Sequence, residues 1–271
     1  MLNIILVNYN SSNDTINCCE SIINNIGDKK YKIHIYDNNS MEDEVKILNN
    51  YLKNKNIDYY FSNINTGFAY ANNYFMNKVK YGNFIWILNN DTLINKELIN
   101  CIYNNLPEDN EICYMECRTF NNEFHDTGLH YVNLLSGKSK MKRTNKFDFL
   151  YICGASFVIK KTENMPLIDE SYFLYYEDCD YGFKLKEKKY IYKKLNDCYF
   201  MHKIGSSSKN QRKKTNKLML RSQVLFMKRY GICYPLYFII KFILLISRRD
   251  IESLRKLFEY TLKIKNNVFY Q

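Results

Sequence analysis

The chain has 271 residues, 46% hydrophobic and 25% charged, a balance that predicts a packed core and excludes intrinsic disorder. Its net charge of +11 is lopsided: residues 1–135 carry 10 Lys/Arg against 16 Asp/Glu, and residues 136–271 carry 29 against 12. The second half therefore expects an anionic partner, whether phosphate groups, an acidic membrane surface or nucleic acid.

In chain order, "LNIILVNY" is a short apolar run with a polar end and predicts a buried strand. "SSNDTINCCESIINNIG" opens with capping residues, carries apolar groups at helical spacing and stops at Gly27. "KIHIYDNNS" predicts a second strand, and "MEDEVKILNNYLKN" a helix with acids in its first turn, as the helix dipole prefers. "IDYYFSN" and "FIWIL" predict strands, "FAYANNYFMNKV" and "NKELINCIYNNL" helices. Four strand–helix alternations argue for an α/β sheet covered on both faces, where ligands bind beyond the carboxyl ends of the strands. The polar tips Asn8–Asn10, Asp37–Ser40 and Asn89–Asp91 all fall at those ends.

Beyond about residue 112, "EICYMECRTF", "YICGASFVIKK" and "KKLNDCYFMHKI" predict strands of a mixed or edge sheet, separated by irregular segments. Helical spacing returns with "KKTNKLMLRSQVLFMKRYG" and after Pro235. This divides the chain into a main domain over residues 1–231 and a basic, partly apolar helical extension over 232–271. Nine cysteines, an odd number without a Cys-x-x-Cys pair, predict reduced thiols in a cytosolic protein. Cys113 and Cys117 share one face of a predicted strand and read as packing residues.

Three stretches carry candidate chemistry. With nine glycines and neither GxGxxG nor GxxxxGK[ST], any phosphate must be neutralised by a cation on a carboxylate or by Lys and Arg rather than by a glycine-rich loop. Asp91, at the end of "FIWIL", suits Mg²⁺ or Mn²⁺, although alone "NND" also reads as a solvated turn. In "DESYFLYYEDCDYGFKLK" five carboxylates flank an aromatic cluster, surroundings that raise a carboxyl pKa and suit a general base; an acidic first helical turn is the alternative. His202 in "MHKIGSS" follows an apolar strand and is within reach of the Asp91 site, or else is a packing residue.

These stretches, in order, resemble the family 2 glycosyltransferases, inverting enzymes of the GT-A fold, and within them the rhamnosyltransferase-like branch of bacterial polysaccharide synthesis. The matching segments are "ILVNYNS", "IYDNNS", "NTGFAYANN", "ILNNDT", "CGASFVIKK", "YFLYYEDCDYGFKLK", "HKIGSS" and "RSQVLFMKRYG". The resemblance implies a GT-A fold with a mixed, mostly parallel central sheet flanked by helices, plus the helical C-terminal extension. It implies that Asp37 hydrogen-bonds the donor's nucleobase beside the Asn8–Asn10 tip, and that Asn65, Gly67 and Asn72 pack over the nucleotide. Asn89-Asn90-Asp91 looks like the family's Asp-x-Asp metal motif with Asn at its first position, leaving Asp91 as the only carboxylate there. Asp178 looks like the catalytic base, with Glu177 supporting it or orienting the acceptor. Gly154 and Ala155 look like the small residues that leave room for the donor sugar, and His202 like the late histidine at the diphosphate or metal. Arg212 and Lys214 would belong to a basic loop after Gly205 that covers the pyrophosphate, with Arg221 nearby.

The expected partners are thus a nucleotide-diphosphate sugar, of the dTDP-rhamnose or UDP-sugar kind, and a glycan or lipid-linked glycan acceptor, with Mn²⁺ or Mg²⁺ as cofactor. "YPLYFIIKFILLISRRD" is apolar but too short to span a membrane. A basic helix with an apolar face can lie in a membrane interface, so this region is expected either at the inner face of the cytoplasmic membrane or against the catalytic domain or a second subunit. No recognition helix, RNP motif or zinc finger accompanies the basic charge, which sets nucleic acid aside. A catalytically silent sugar-nucleotide-binding module stays open as the alternative.

Overall fold

The computed structural model describes residues 1–203 and 212–263, with side chains from residue 215 in the second segment. The expected alternation forms strands β1 (Leu2–Asn8), β2 (Tyr31–Asp37), β3 (Ile57–Phe61) and β4 (Phe84–Leu88) and helices α1 (Ser12–Ile26), α2 (Glu42–Leu52) and α3 (Gly67–Met76). A two-residue strand, β5 (Thr92–Leu93), and helix α4 (Lys96–Asn104) follow. β1 is buried along nearly its whole length, the reason for its continuous apolar run: a strand covered on both faces cannot alternate. α1 turns Cys18, Cys19, Ile22 and Ile26 inward, and Gly27 ends it with φ of +59°.

The main sheet is completed by β6 (Glu111–Arg118), β7 (Phe124–Asp126), β11 (Ser156–Lys160) and β12 (Ile191–His202). Its order is β3-β2-β1-β4-β11-β6-β12-β5, with β7 paired to β6. β3, β2, β1 and β4 run parallel, whereas β11 runs against both β4 and β6. Ile4 and Leu6 of β1 point to the α1, α2 and α4 side. Ile5 points to the opposite core, shared with α3 and with Tyr181 and Leu185 of α5 (Glu177–Glu187). Cys113 and Cys117 lie in the first of these cores, as expected of packing residues, and every cysteine is a free thiol.

One expected strand is two. "YICGASFVIKK" divides into β10 (Asp148–Ile152) and β11, which belong to different sheets. β10 pairs with β8 (Leu129–Asn133), which also pairs with β9 (Ser139–Lys140), in a three-stranded sheet lying in the region expected to be irregular. Both halves are apolar, so periodicity could not mark the break; the small residues Cys153-Gly154-Ala155 are where the chain crosses over.

Helices α6 (Arg212–Tyr230), α7 (Tyr234–Ser247) and α8 (Ile251–Lys263) are the last elements of the described residues. Phe226, Tyr237, Leu245 and Leu257 from these helices form a third core with Val132 of β8 and Tyr151 of β10, each fully buried aliphatic or aromatic side chain contributing about 1.5–3 kcal/mol relative to exposure. α5 sits so close on β10 that a Cβ at Gly182 would lie 2.6 Å from Tyr151 Cβ. That approach brings the N-terminus of α5 to the β10–β11 crossover.

Candidate active site

The polar strand tips converge. Asn8, fully buried, donates to Asp37 Oδ2 at 2.7 Å, while its side-chain Oδ1 accepts from Thr15 Oγ1 at 2.8 Å. Asp37 Oδ1 accepts the Ser40 N–H at 3.0 Å, so both of its oxygens are engaged, with lone pairs remaining. Asn10, at φ of +52°, receives the Met41 N–H on its side chain at 2.7 Å and donates its own N–H to Ser40 at 2.8 Å. Asn90 donates to Ser11 and Thr15 at 2.8 Å each and is thereby turned toward α1. Asn65 Oδ1 accepts the Gly67 N–H at 3.1 Å, whereas buried Asn72 donates back to the Phe68 carbonyl within α3. Gly67, at φ of +83°, lies under the segment leading to α5: a Cβ there would come within 2.4 Å of the Phe173 carbonyl oxygen.

Asp91 lies two residues beyond Asn89, which follows the end of β4, and its neighbour Thr92 begins β5. The antiparallel β5–β12 pairing sets Thr92 opposite His202, and His202 Nε2 reaches Asp91 Oδ1 at 2.8 Å. The Lys203 N–H bonds the Asp91 carbonyl at 2.9 Å. A carboxylate oxygen beside an imidazole nitrogen, both partly exposed, is a donor pair that fits a divalent cation. Two protein ligands leave coordination positions for diphosphate oxygens and water. The basic run after Gly205 lies outside the described residues, as do the side chains of Arg212 and Lys214.

Asp178 and Glu177 open α5, whose cap Tyr176 and the preceding Tyr175 are both left-handed, at φ of +65° and +67°. Such strain in bulky residues is held in place by surrounding structure and concentrates at functional sites. Burial drives the Asp178 carboxyl pKa up; the Cys179 N–H, the charge of His130 and the Gly154 N–H oppose it without cancelling it. Burial and the neighbouring Asp178 raise Glu177 as well, and among the described residues Glu177 Oε2 has no hydrogen-bond partner. The two carboxyls border a small apolar cavity with Phe68, Gly154, Phe157 and Ile168. Gly154 lies against Asp178 and Phe68, at 3.6 and 3.8 Å from a notional Cβ. The next residue, Ala155, accepts the Asn89 N–H at 2.9 Å. The Gly154-Ala155 link therefore touches both the Asp178 carboxylate and the segment that carries Asp91.

The family model "Glycosyl transferase family 2" matches residues 3–164. The chain belongs to glycosyl transferase family 2. It is a glycosyltransferase with the GT-A fold. The solved structure of GalNAc-T7 with UDP, GalNAc and Mn²⁺ superposes with a TM-score of 0.62 at 14% identity, over 99% of this chain and 56% of that one. Residues 1–349 of S. aureus TarS superpose with a TM-score of 0.53 at 14% identity, over 88% of this chain and 68% of that one. The same TarS segment in complex with UDP gives 0.52. No curated protein matches the sequence.

Within this family 2 glycosyltransferase the five carboxylates around the aromatic cluster separate. Asp169 and the fully buried Asp180 are held by Arg229 of α6 at 2.8 and 3.3 Å, and Lys184 lies near both. Glu170 accepts from the Asn73 side-chain NH2, which also donates to the Ile168 carbonyl, while the Asn73 amide oxygen accepts the Ile168 N–H. Only Glu177 and Asp178 border the cavity. Arg221, expected near the pyrophosphate, donates to the Ser171 carbonyl at 3.4 Å and so braces the segment before α5. Sequence reasoning missed Asn38, which receives the Thr66 N–H at 2.7 Å and donates to the Gly67 carbonyl, tying the β2 tip to the α3 entrance. It also missed Asp126 and His130, although their spacing of four residues and their chemistry were visible. Among the described residues, Asp126, His130 and Cys153 form the one three-residue group of potential ligand atoms, all within 4.8 Å of one another.

Proposed function

We propose that the chain transfers a sugar, with inversion, from a nucleotide-diphosphate donor of the dTDP-rhamnose or UDP-sugar kind to a hydroxyl of a bacterial surface glycan. The observation that carries this reading is the Gly154-Ala155 link, which joins the Asp178 carboxyl to the Asn89–Asp91 tip. The nucleoside lies over the tips of β1 and β2, where Asp37, braced by Asn8 and Ser40, accepts the N3–H of the base. Asn10, Asn65, Gly67, Asn72, Asn89 and Asn90 shape that floor. Gly154 and Ala155, without bulk, leave the sugar room beside Asp178.

Asp91 and His202 would hold Mn²⁺ or Mg²⁺. When bound, the ion neutralises negative charge developing on the leaving nucleotide diphosphate. Asp178 accepts the proton of the acceptor hydroxyl as that oxygen bonds C1 from the face opposite the leaving phosphate. The C1–O bond to the diphosphate breaks with its electron pair, and one displacement inverts the anomeric centre. Glu177, kept neutral by burial, donates a hydrogen bond that orients the acceptor.

The acceptor is met at the cytoplasmic membrane surface. The exposed row Leu236, Ile239, Ile243 and Ile246 runs along α7, and Phe258 and Leu262 of α8 are exposed too, in a half of the chain with strong basic excess. Among the described residues no helix is long and apolar enough to cross a membrane, so the contact is peripheral.

A thermal-shift screen of UDP- and dTDP-sugars with and without Mn²⁺ tests the donor reading, because a ligand that binds the native state raises apparent stability. A stabilisation by at least one nucleotide sugar, larger with Mn²⁺, is expected; no response to any of them overturns it.

A further inference from the structure

Beside the proposed base runs a chain of polar side chains that the transfer described above does not use. Asp126 ends β7, and after the tight turn at Gly128, φ +80°, His130 stands second in β8. Asp126 Oδ1 accepts the Gly128 N–H at 2.6 Å and Oδ2 meets His130 Nε2 at 2.5 Å. The other ring nitrogen, Nδ1, lies 3.5 Å from the Tyr151 hydroxyl, itself 2.5 Å from Ser139 Oγ. Register holds this arrangement in place: Tyr151 is paired with His130 across β8 and β10, and the Cys153 N–H bonds the Gly128 carbonyl at 2.9 Å. The next residue, Gly154, lies against Asp178, whose Cβ is 3.6 Å from a notional Cβ at Gly154. The dyad and the base are thus attached to the same short crossover.

With a carboxylate on one ring nitrogen and a hydroxyl oxygen near the other, the doubly protonated imidazole has an acceptor on each side. Burial works against that cation, but the Asp126 hydrogen bond and charge, helped by the Asp178 charge, outweigh it and hold the ring's pKa above its ordinary value. The other titratable groups facing Asp178 are uncharged: burial raises the Tyr151 and Tyr176 phenols, the Cys153 and Cys179 thiols and the Glu177 carboxyl alike. Among the described residues, His130 is the cation that acts on the base.

We propose that His130, clamped by Asp126, is the charged positioning partner that keeps Asp178 in its proton-accepting form. The inference rests on Asp178 being the base. Without that partner, a carboxyl in an apolar cavity retains its proton and is unable to take one from the acceptor.

The test uses the full chain labelled with ¹³C at the aspartate carboxyls, the Asp178 signal being assigned by its loss in Asp178→Asn. In His130→Gln the Asp178 titration midpoint is expected to rise by about one pH unit, a tenfold shift in its ionisation equilibrium. In Asp126→Asn, which weakens the clamp but keeps the ring, it should rise less. The acid limb of the turnover profile should move with the midpoint while KM for the donor stays unchanged, a pattern that a merely structural role would not produce. Should His130→Gln fail to fold, Asp126→Asn carries the test alone. An unmoved midpoint in the folded variants overturns the inference even where Asp178→Asn is inactive, whereas full turnover by Asp178→Asn overturns the base assignment itself.

Discussion

His202 Nε2 stands 2.8 Å from the Asp91 carboxylate although 111 residues separate the two in the chain. Two hydrogen-bonded residue pairs between β5 and β12 bring them together. As the proposed cation ligands they should have separable effects. Asp91→Ala is expected to abolish the Mn²⁺-dependent part of the stabilisation by a nucleotide sugar. His202→Ala should weaken it by about tenfold in affinity, or about 1.4 kcal/mol. Donor titrations by calorimetry with and without chelator check both, and equal Mn²⁺ dependence in wild type and Asp91→Ala would remove Asp91 from the role.

Asp178 borders the cavity with its pKa raised by burial, the condition of a base that works near neutrality. Asp178→Asn is expected to lower kcat by about a hundredfold to ten-thousandfold while donor binding persists. In the wild type, turnover should fall as pH drops through the base's raised midpoint, so the acid limb lies above the usual carboxylate range. A pH profile following nucleotide release measures both; a limb within the ordinary carboxylate range would contradict the burial argument.

Glu177 makes a stability prediction with a definite sign. Burial and Asp178 raise its carboxyl from 4.5 to about 8, so the folded state holds a proton that the unfolded chain releases more readily. Its contribution to stability is complete below about pH 4.5 and is lost as pH rises to about 8. Glu177→Gln carries no such dependence. Melting curves should show the variant gaining on the wild type between pH 5 and pH 8, with turnover reduced. A constant difference between the two across that range would show that Glu177 is ionised in the fold.

Gly67 joins the two halves of the site physically, because the Phe68 N–H bonds the Phe173 carbonyl at 3.0 Å directly above it. Alanine there meets both a left-handed φ, at about 1–2 kcal/mol, and a backbone oxygen 2.4 Å from its Cβ. Gly67→Ala should therefore destabilise the chain by more than about 2 kcal/mol and shift the segment before α5. Chemical denaturation reads the first effect and loss of turnover the second. Gly27→Ala is the control, since its φ is also positive but nothing lies within 4 Å of its Cβ.

The first half of the fold was legible because strands buried on both faces read as unbroken apolar runs and the helices between them carry caps and 3.6-residue spacing. The polar tips could be assigned to one rim before any pairing was known, since parallel strands end on the same side. Charge compensation between distant elements was not legible: nothing local in "DESYFLYYEDCDYG" says that Arg229 neutralises Asp169 and Asp180 and leaves Glu177 and Asp178 to the cavity. The β10–β11 division was hidden because apolar periodicity is blind to a change of sheet. His130 and Asp126 were missed because short strands β7 and β8, joined by a Thr-Gly turn, resemble irregular chain at the level of pattern.

The apolar row on α7 supports the last prediction. Ile239, Ile243 and Ile246 are each more than half exposed, and spacings of four and three residues set them on one helix face. Leaving such side chains in water is unfavourable at about 25 cal/mol per Å² of apolar surface, and the basic excess of this half favours an anionic lipid surface as cover. Ile239→Ser with Ile243→Ser removes the centre of the row and touches no residue assigned to catalysis. The wild type should float with vesicles containing anionic lipid and less with neutral ones, and the double variant should stay behind with turnover on a water-soluble acceptor unchanged. Equal flotation of both proteins would remove the membrane role, and concentration-dependent dimerisation lost in the variant would reassign the row to a second copy of the chain.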